Sequence, residues 1–347
     1  MLRLLKPAAA ALFGALFAVP FAGQAAAQSN CDQSHVVKPG ETIFSIAEAY
    51  YGDHQKWSVI YYGNQTQLQG ALFQFSPGTE LNIPCLPSSA APDATPLQQA
   101  DAEMKLLTGS DYAPFTDRNW PGQGMVTELV NAALENSPYP VPYAITWEDD
   151  WSTHLFPKLD GKEFDMGFPW LRPNCEEDRT NERCANFHFS EPLVELLILL
   201  FVRKDAPFTF DSDDDIAGKT LCRPAGYFTH DLDRKGRAWL KNNTIDLVQA
   251  DSPDACFDLL LQGKVDAVTV NEFLGWTKIK ALGLADTVEP LKRPLSIEGL
   301  HVLISKKHWR GTTHLYRFNS GLEALKKSKR YDEIVSRHLG TFWAQLE

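Results

Sequence analysis

The sequence offers few of the patterns that carry enzyme chemistry. It has no H-E-x-x-H and no G-x-S-x-G, so the zinc-protease and serine-hydrolase arrangements find no anchor in it. Its six cysteines never stand as C-x-x-C, the spacing of many zinc and redox sites. Basic residues are in deficit: 33 Lys and Arg against 44 Asp and Glu give a net charge of −11. That balance, with no basic patch, opposes binding to a nucleic-acid backbone. Beyond the N-terminal segment no apolar run approaches the roughly 20 residues a membrane helix needs. Leu193 to Val202 is too short, carries Glu195, and reads as a buried strand. No internal repeat is visible. The acid run Asp211 to Asp215 lacks the glycine and terminal glutamate of a calcium loop, and reads as the solvated start of a helix. No metal and no cofactor is expected.

What is present is an ordinary globular balance, 44% hydrophobic and 22% charged, on 347 residues, enough for two or three domains. Residues 1–27 have a basic start at Arg3 and Lys6, an apolar stretch from Ala8 to Gly23, and the small residues Ala25-Ala26-Ala27. This is the pattern of a secretory signal peptide. Its removal leaves 31 basic against 44 acidic residues, or −13. Gln28-Ser29-Asn30 before Cys31 is no lipoprotein box, so a soluble periplasmic protein is expected rather than a lipid-anchored one. Six cysteines in an exported chain imply disulfides, and sequence alone permits about 15 pairings. We expect Cys31–Cys85 around a small domain, Cys175–Cys184 closing a short loop, and Cys222–Cys256. Zinc on Cys175, Cys184 and His188 suits neither the spacing nor an oxidising compartment.

Residues 31–85 read as a compact βααβ unit. His35-Val36-Val37 is a short strand, Lys38-Pro39-Gly40 a turn, and Thr42 the cap of a helix with Ile43, Ile46, Ala47 and Tyr50 on one face. Trp57, Ile60 and Tyr61 mark a second helix, and Pro77-Gly78 turns into a strand from Glu80 to Ile83. The run H-V-V-K-P-G-E-T-I-F-S-I-A, then Y-Y-G-D, W-S-V-I-Y and P-G-T-E-L-N-I-P, resembles a complete LysM domain. That family binds N-acetylglucosamine glycans, peptidoglycan among them. The resemblance points to a groove at Gly40, Glu41, Thr42 and Ile43, with Asn64, Phe75, Ser76 and Pro77. Trp57 and Tyr61 are expected to be core. Residues 86–102, rich in Pro, Ala and Ser, read as a semi-extended linker.

From Met104 strands and helices alternate, which implies an α/β sheet with helices on both faces. Six segments in order carry a second resemblance: Y-x-P-F from Tyr112, G-x-x-x-E-L from Gly124, G-K-x-F-D from Gly161, T-x-E-R…F-S-x-P from Thr180, D-I-x-G-K from Asp215, and G-K-V-D-A-V from Gly263. They resemble family 3 of the bacterial extracellular solute-binding proteins, the polar amino acid receptors of ABC importers. The implied fold is α/β, periplasmic-binding-protein-like and bilobed, with two α/β lobes of type II over residues 103–347. Lobe 1 takes 103–201 and 300–347, and lobe 2 takes 204–298. The crossings are expected near Phe201 to Lys204 and near Glu298 to Ile304.

The resemblance also implies site residues. Tyr112 aligns with an aromatic platform that Phe115 supports. Thr180 and Arg183 align with carboxylate-gripping positions, and a guanidinium suits a carboxylate bidentately. Gly226, Tyr227 and Phe228 fall where backbone N–H groups at a helix start receive the same carboxylate. Asn271 stands where the family has an ammonium-binding aspartate, with Glu272 as a substitute; apart from the resemblance, Trp170, in a stretch before Thr180 longer than the family's, is expected as an extra cleft wall. The carboxylate half of amino acid recognition is kept and the amine half is not.

The implied function is capture of a small carboxylate-bearing, amino-acid-like solute for ABC-type import. The LysM domain would tether the protein to peptidoglycan, and membrane subunits of a transporter would be its partners. No chemistry and a monomer are expected. The alternatives are a peptidoglycan or muropeptide sensor without transport, and a dehydratase-type enzyme with Glu272 as general acid.

Overall fold

The computed structural model describes residues 32–68, 76–86 and 102–346. The expected signal peptide, Cys31, Phe75 and nearly all of the expected linker lie outside the described residues.

The N-terminal module has the expected order with a short helix added. Strand β1 (Gln33–Val36) pairs antiparallel with β2 (Glu80–Ile83). Helix α1 (Ile43–Tyr51) starts at Thr42, whose hydroxyl accepts the Ser45 N–H at 3.1 Å while the Ser45 hydroxyl accepts the Thr42 N–H at 2.9 Å. This capping box satisfies N–H groups that no helical carbonyl reaches. Helices α2 (Trp57–Tyr62) and α3 (Gln65–Leu68) follow. Every residue of α2 is buried. A helix buried on all sides needs cover on all sides, and a two-stranded sheet covers one.

Beyond the linker come β3 (Met104–Thr108), α4 (Met125–Glu135), β4 (Tyr143–Trp147) and β5 (Met166–Leu171). Next are α5 (Glu182–Asn186), β6 (Phe187–Phe189) and the long β7 (Val194–Arg203). The second lobe holds β8 (Thr220–Pro224), β9 (Asp246–Ala250), α6 (Pro253–Leu261), β10 (Ala267–Asn271), α7 (Glu272–Ala281) and β11 (Val288–Pro290). The chain returns through β12 (Ser296–Ser305) and ends in α8 (Gly311–Lys326) and α9 (Lys329–Leu346). The strands run in the order β4-β3-β5-β12-β7-β10-β8-β9, with β6 beside β12 and β11 beside β7. In lobe 1, β3 is parallel to β4 and β5, and in lobe 2, β8 is parallel to β9 and β10.

The lobes meet where β7 and β12 pair antiparallel, Val194 to Ile198 against Ser296 to Leu300. The first crossing therefore lies ahead of the expected 201–204 stretch. Phe201 to Arg203 already pair with β11 inside lobe 2, because the apolar run is long enough to serve both lobes. Cys175–Cys184 and Cys222–Cys256 are bonded as expected, the second tying β8 to α6. Cys85 is also disulfide-bonded, and its expected partner lies outside the described residues. The acid run at 211–215 does open a short helical turn, capped by Ser212. It is less solvated than expected, because Asp213 accepts hydrogen bonds from both Arg237 and Arg293.

The module is not a free bead: α2 and α3 lie on β7. The Gln65 side chain donates to the Glu195 carbonyl at 3.0 Å and accepts the Glu195 N–H at 3.3 Å, while the Tyr61 hydroxyl donates to the Glu195 carboxylate at 2.7 Å. Expected as module core, Tyr61 therefore also faces the lobes. Beside it the Tyr62 ring meets Phe273, centroids 5.6 Å apart. The hydroxyls of Tyr62 and Ser58 face the Glu272 carboxyl, which is buried, has no cationic partner among the described residues, and is pushed by burial to a pKa of about 7.

Glu128 on α4 shows the opposite balance. Burial alone would raise its pKa, but hydrogen bonds from His338 and Arg337 on α9 outweigh this and hold it at about 2. The two glutamates give opposite pH dependences. An acid with a folded-state pKa above its unfolded value of 4.5 binds its proton more tightly in the fold, so Glu272 subtracts stability as pH rises from 4.5 to about 7. Glu272→Gln should leave stability unchanged below pH 4.5 and raise it by up to about 3 kcal/mol above pH 7, read from urea midpoints. Glu128→Gln should lower stability above pH 4.5, with the loss shrinking as pH falls toward 2. Midpoints that do not move in these directions contradict the two assignments.

Candidate functional site

The carboxyl ends of β3, β5, β8 and β10 converge on one cleft between the lobes, the position where open α/β sheets take ligands. Its volume is about 970 Å³.

Lobe 1 supplies an aromatic wall. After β3 the chain folds into a tight turn, with the Phe115 N–H donating to the Tyr112 carbonyl at 2.8 Å. The start of α4 holds that turn through Met125 N–H to Pro114 O at 2.7 Å and Val126 N–H to Phe115 O at 2.9 Å. Gly124 permits this approach. It sits at φ +103°, and a Cβ there would lie 2.3 Å from the Phe115 oxygen. Tyr112 thereby lines the cleft while Phe115, fully buried, supports it from behind with ring centroids 5.0 Å apart. Trp151 donates its indole N–H to Ser110 O at 3.1 Å and stands edge-on to Trp170 at 5.7 Å.

Trp170, next to last in β5, lines the cleft, with the Arg183 guanidinium over its ring at 5.1 Å. Arg183 is placed by α5, whose cap, Asn181, accepts the Arg183 N–H at 3.0 Å, and by the Cys175–Cys184 bridge next to it. Among the described residues, the one protein acceptor of its guanidinium is Leu171 O at 3.4 Å. Burial lowers its pKa, as expected of a cation with little to offset its lost hydration. The Trp170 indole N–H is buried without a partner among the described residues.

Lobe 2 supplies a second arginine, which sequence reasoning missed. Arg223 on β8 is 1% exposed and forms a bidentate pair with Asp231, at 2.6 and 3.0 Å. It also donates to Phe228 O at 2.6 Å and to Thr269 at 3.0 Å, and Asp231 accepts from Ser296 at 3.0 Å. The signal was legible: a charged residue within the strand T-L-C-R-P must be paired, and Asp231 lies eight positions on. Four basic side chains line the cleft. Arg223 pairs with Asp231, His230 with Glu298 and Lys278 with Asp254, whereas Arg183 has no acidic partner among the described residues.

Other expected residues are placed as follows. Gly226, Tyr227 and Phe228 line the cleft, but no α-helix starts there. Gly226 turns the chain at φ +81°, the Tyr227 N–H is taken by Pro224 O, and only the short turn His230–Leu232 follows. Asn271 lines the cleft and caps α7 by accepting the Leu274 N–H at 3.0 Å. Thr180 is not part of the wall; it is exposed and donates to Asp178, while its neighbour Asn181 lines the cleft. Glu272 points out of the cleft into the module seam, since neighbours at a helix start face different ways. Asp111 and Asp117 are acidic lining groups that the sequence did not mark out.

In the module, Asn64 is buried with its amide spent on Ile60 O and on both backbone groups of Asn82. Glu41 accepts from His35 and from the Lys38 N–H, and Ile43 is 1% exposed in the core. These three therefore act in folding the module. Gly40, Thr42, Ser76 and Pro77 are exposed, and Phe75 lies outside the described residues.

No protein-family model and no curated protein matches the chain. Solved structures do. A histidine kinase sensor domain described as similar to periplasmic binding proteins aligns at 21% identity with TM-score 0.50, over 68% of this chain and 96% of its own. The second substrate-binding domain of a putative amino acid ABC transporter from Streptococcus pneumoniae aligns at 18% identity and TM-score 0.47, over 68% of this chain and all of its own. The B. pertussis BvgS periplasmic domain aligns at 19% identity and TM-score 0.46 over 67% of this chain, which spans 41% of that domain's length. With the strand order and cleft described above, the residues beyond the linker have the bilobed α/β fold of the periplasmic binding proteins.

Proposed function

We propose that this chain is an exported solute-binding protein of the family 3 type, whose cleft takes a small carboxylate-bearing solute. One observation carries the reading: among the described residues Arg183 is the lining cation without an acidic partner, half-buried and stacked on Trp170. A desolvated guanidinium calls for an anion, and its fork fits a carboxylate. Stacking on Trp170 fixes the fork's plane, and the free Trp170 N–H is a second donor nearby. Asn271, in place of an acid, gives no countercharge to an ammonium, so a standard α-amino acid is disfavoured unless Asp111 or Asp117 meets it. The cleft binds and does no chemistry. Its candidate general acid, Glu272, faces the seam instead.

The segment before Cys31 would export the protein to the periplasm, where the disulfides form. The module would hold a glycan such as peptidoglycan at the Gly40–Thr42 and Ser76–Pro77 edge, and membrane subunits of an ABC importer would receive the solute. A second reading is a muropeptide sensor without transport. It is favoured by the seating of the module on the strand that joins the lobes.

Thermal unfolding of the full exported chain against L-amino acids, dicarboxylates, short peptides and muropeptides tests the reading. A ligand at about 100 times its Kd adds about 2.7 kcal/mol, or roughly 4 °C for a chain of this size. Arg183→Ala should cost about 2–5 kcal/mol of binding by leaving the ligand's carboxylate unpaired. A shift that survives Arg183→Ala, or one produced only by uncharged ligands, overturns the carboxylate assignment. Cosedimentation with insoluble peptidoglycan, released by N-acetylglucosamine oligomers, tests the module. A protein that stays in the supernatant is no wall tether.

A further inference from the structure

Strand β7 presents its two faces to different places. Leu196 and Ile198 line the cleft. Between them, Glu195, Leu197 and Leu199 turn to the N-terminal module. Glu195 takes Tyr61 and Gln65, the Leu197 backbone lies near the Tyr62 hydroxyl, and Leu199 lines a seam cavity of about 250 Å³ with Phe44 and Trp57. The alternation follows from the two-residue period of a strand. It places the module on the back of the segment where the lobes meet.

The edge that the module covers is an open one. At Glu195 the strand pairs with β12 on one side, and β10 joins the other side only from Ile198 onward. The Glu195 N–H and C=O on that side have no strand partner, and the Gln65 amide takes both. Gln65 is 8% exposed, so these bonds are shielded from water. An unpaired strand edge is costly when dry. The module is thus fitted to this edge.

The first turn of α7 carries the contact through to the cleft. Three consecutive residues face three different places: Asn271 the cleft, Glu272 the module, and Phe273 a point where three elements meet. Phe273 is 2% exposed and touches Tyr62 of the module, Phe115 beneath the cleft platform at 5.1 Å, and Phe342 of α9 at 4.8 Å. Tyr112 rests on Phe115. Packed rings of this kind cannot shift singly, because the interior has no slack.

We infer that the N-terminal module is a brace on the back of the hinge, and that its seating on Glu195 and Phe273 sets the positions of Tyr112 and Asn271 in the cleft. A glycan or wall fragment that draws on the module would reach the cleft through those contacts. By linkage, a ligand that fixes the cleft would tighten the module's seat. This goes beyond the solute-binding reading, and its test needs no solute.

Amide hydrogen exchange of the full chain provides that test, comparing wild type with Tyr61→Phe/Gln65→Ala, which removes the hydrogen bonds to Glu195 and leaves the apolar packing in place. Tyr62→Leu, which removes the ring against Phe273, is the second variant. Exchange should rise by about tenfold at 111–116 and 271–275, whereas the hydrogen bonds removed by the double variant all run to Glu195, while β3 and β8 keep their protection. A rise confined to 57–68 and 193–197 overturns the inference, since the module would then be a passenger. A rise spread evenly over the whole chain, with no excess at the cleft segments, overturns it as well.

Discussion

The rest of the architecture depends on a ten-residue strand having both faces and one edge occupied by different partners. Val194 to Arg203 pairs with β12 at its start and with β10 and β11 at its end, so one strand belongs to both lobes. Its apolar composition is what a strand with no water on either side requires. The exceptions are Glu195, half-buried and matched by Tyr61, and the terminal Arg203, which pairs with Asp205. Much of the cleft hangs from this strand or from the parallel strands of the two lobes, with Leu300 of β12 and Phe342 and Gln345 of α9 completing it. A fold in which two sheets share a strand concentrates motion at that strand, and here the shared segment carries a third body on its back.

Electrostatics divides the cleft into a settled half and an unsettled one. On the lobe 2 side, Arg223 has Asp231, Thr269 and a carbonyl within hydrogen-bond distance, and Asp231 has Ser296 besides. Such a pair is complete. Removing either member would strand a buried charge, so it orders the lobe and is not free to receive a ligand. On the lobe 1 side, Arg183 has one long contact to a carbonyl and the face of an indole. The contrast between two arginines in one cavity, one saturated and one not, makes the cleft asymmetric, with the less satisfied cation on lobe 1.

Much of this was legible in the sequence. The capping of α1 by Thr42, the strand at Glu80 to Ile83, the glycine before α4 and the order of strands and helices after Met104 all follow from local signals that the fold respects. Arg183 and Tyr112 were recognisable from motif position, and Trp170 only as an aromatic in a stretch longer than the family's; all three line the cleft. Thr180 and Glu272 were placed wrongly because a motif fixes spacing along the chain and not the direction of each side chain. A helix start turns successive residues by about 100°, which sends Asn271 to the cleft and Glu272 away from it. Asn64 illustrates another limit, since a polar residue at a loop is equally suited to binding a sugar and to tying the loop to its own strand. The docking of the module was harder to read. Its one signal was W-S-V-I-Y-Y, apolar around the whole helix, which a two-stranded sheet cannot cover.

The central claim is that Arg183 receives an anionic group of a small solute. Native mass spectrometry of the protein, purified from its exporting cell without denaturation, tests it most directly. The account predicts a one-to-one adduct that, once released and fragmented, loses carbon dioxide as carboxylates do, and that is absent from Arg183→Ala isolated in the same way. An adduct retained in full by Arg183→Ala, or one with no anionic group, would contradict it.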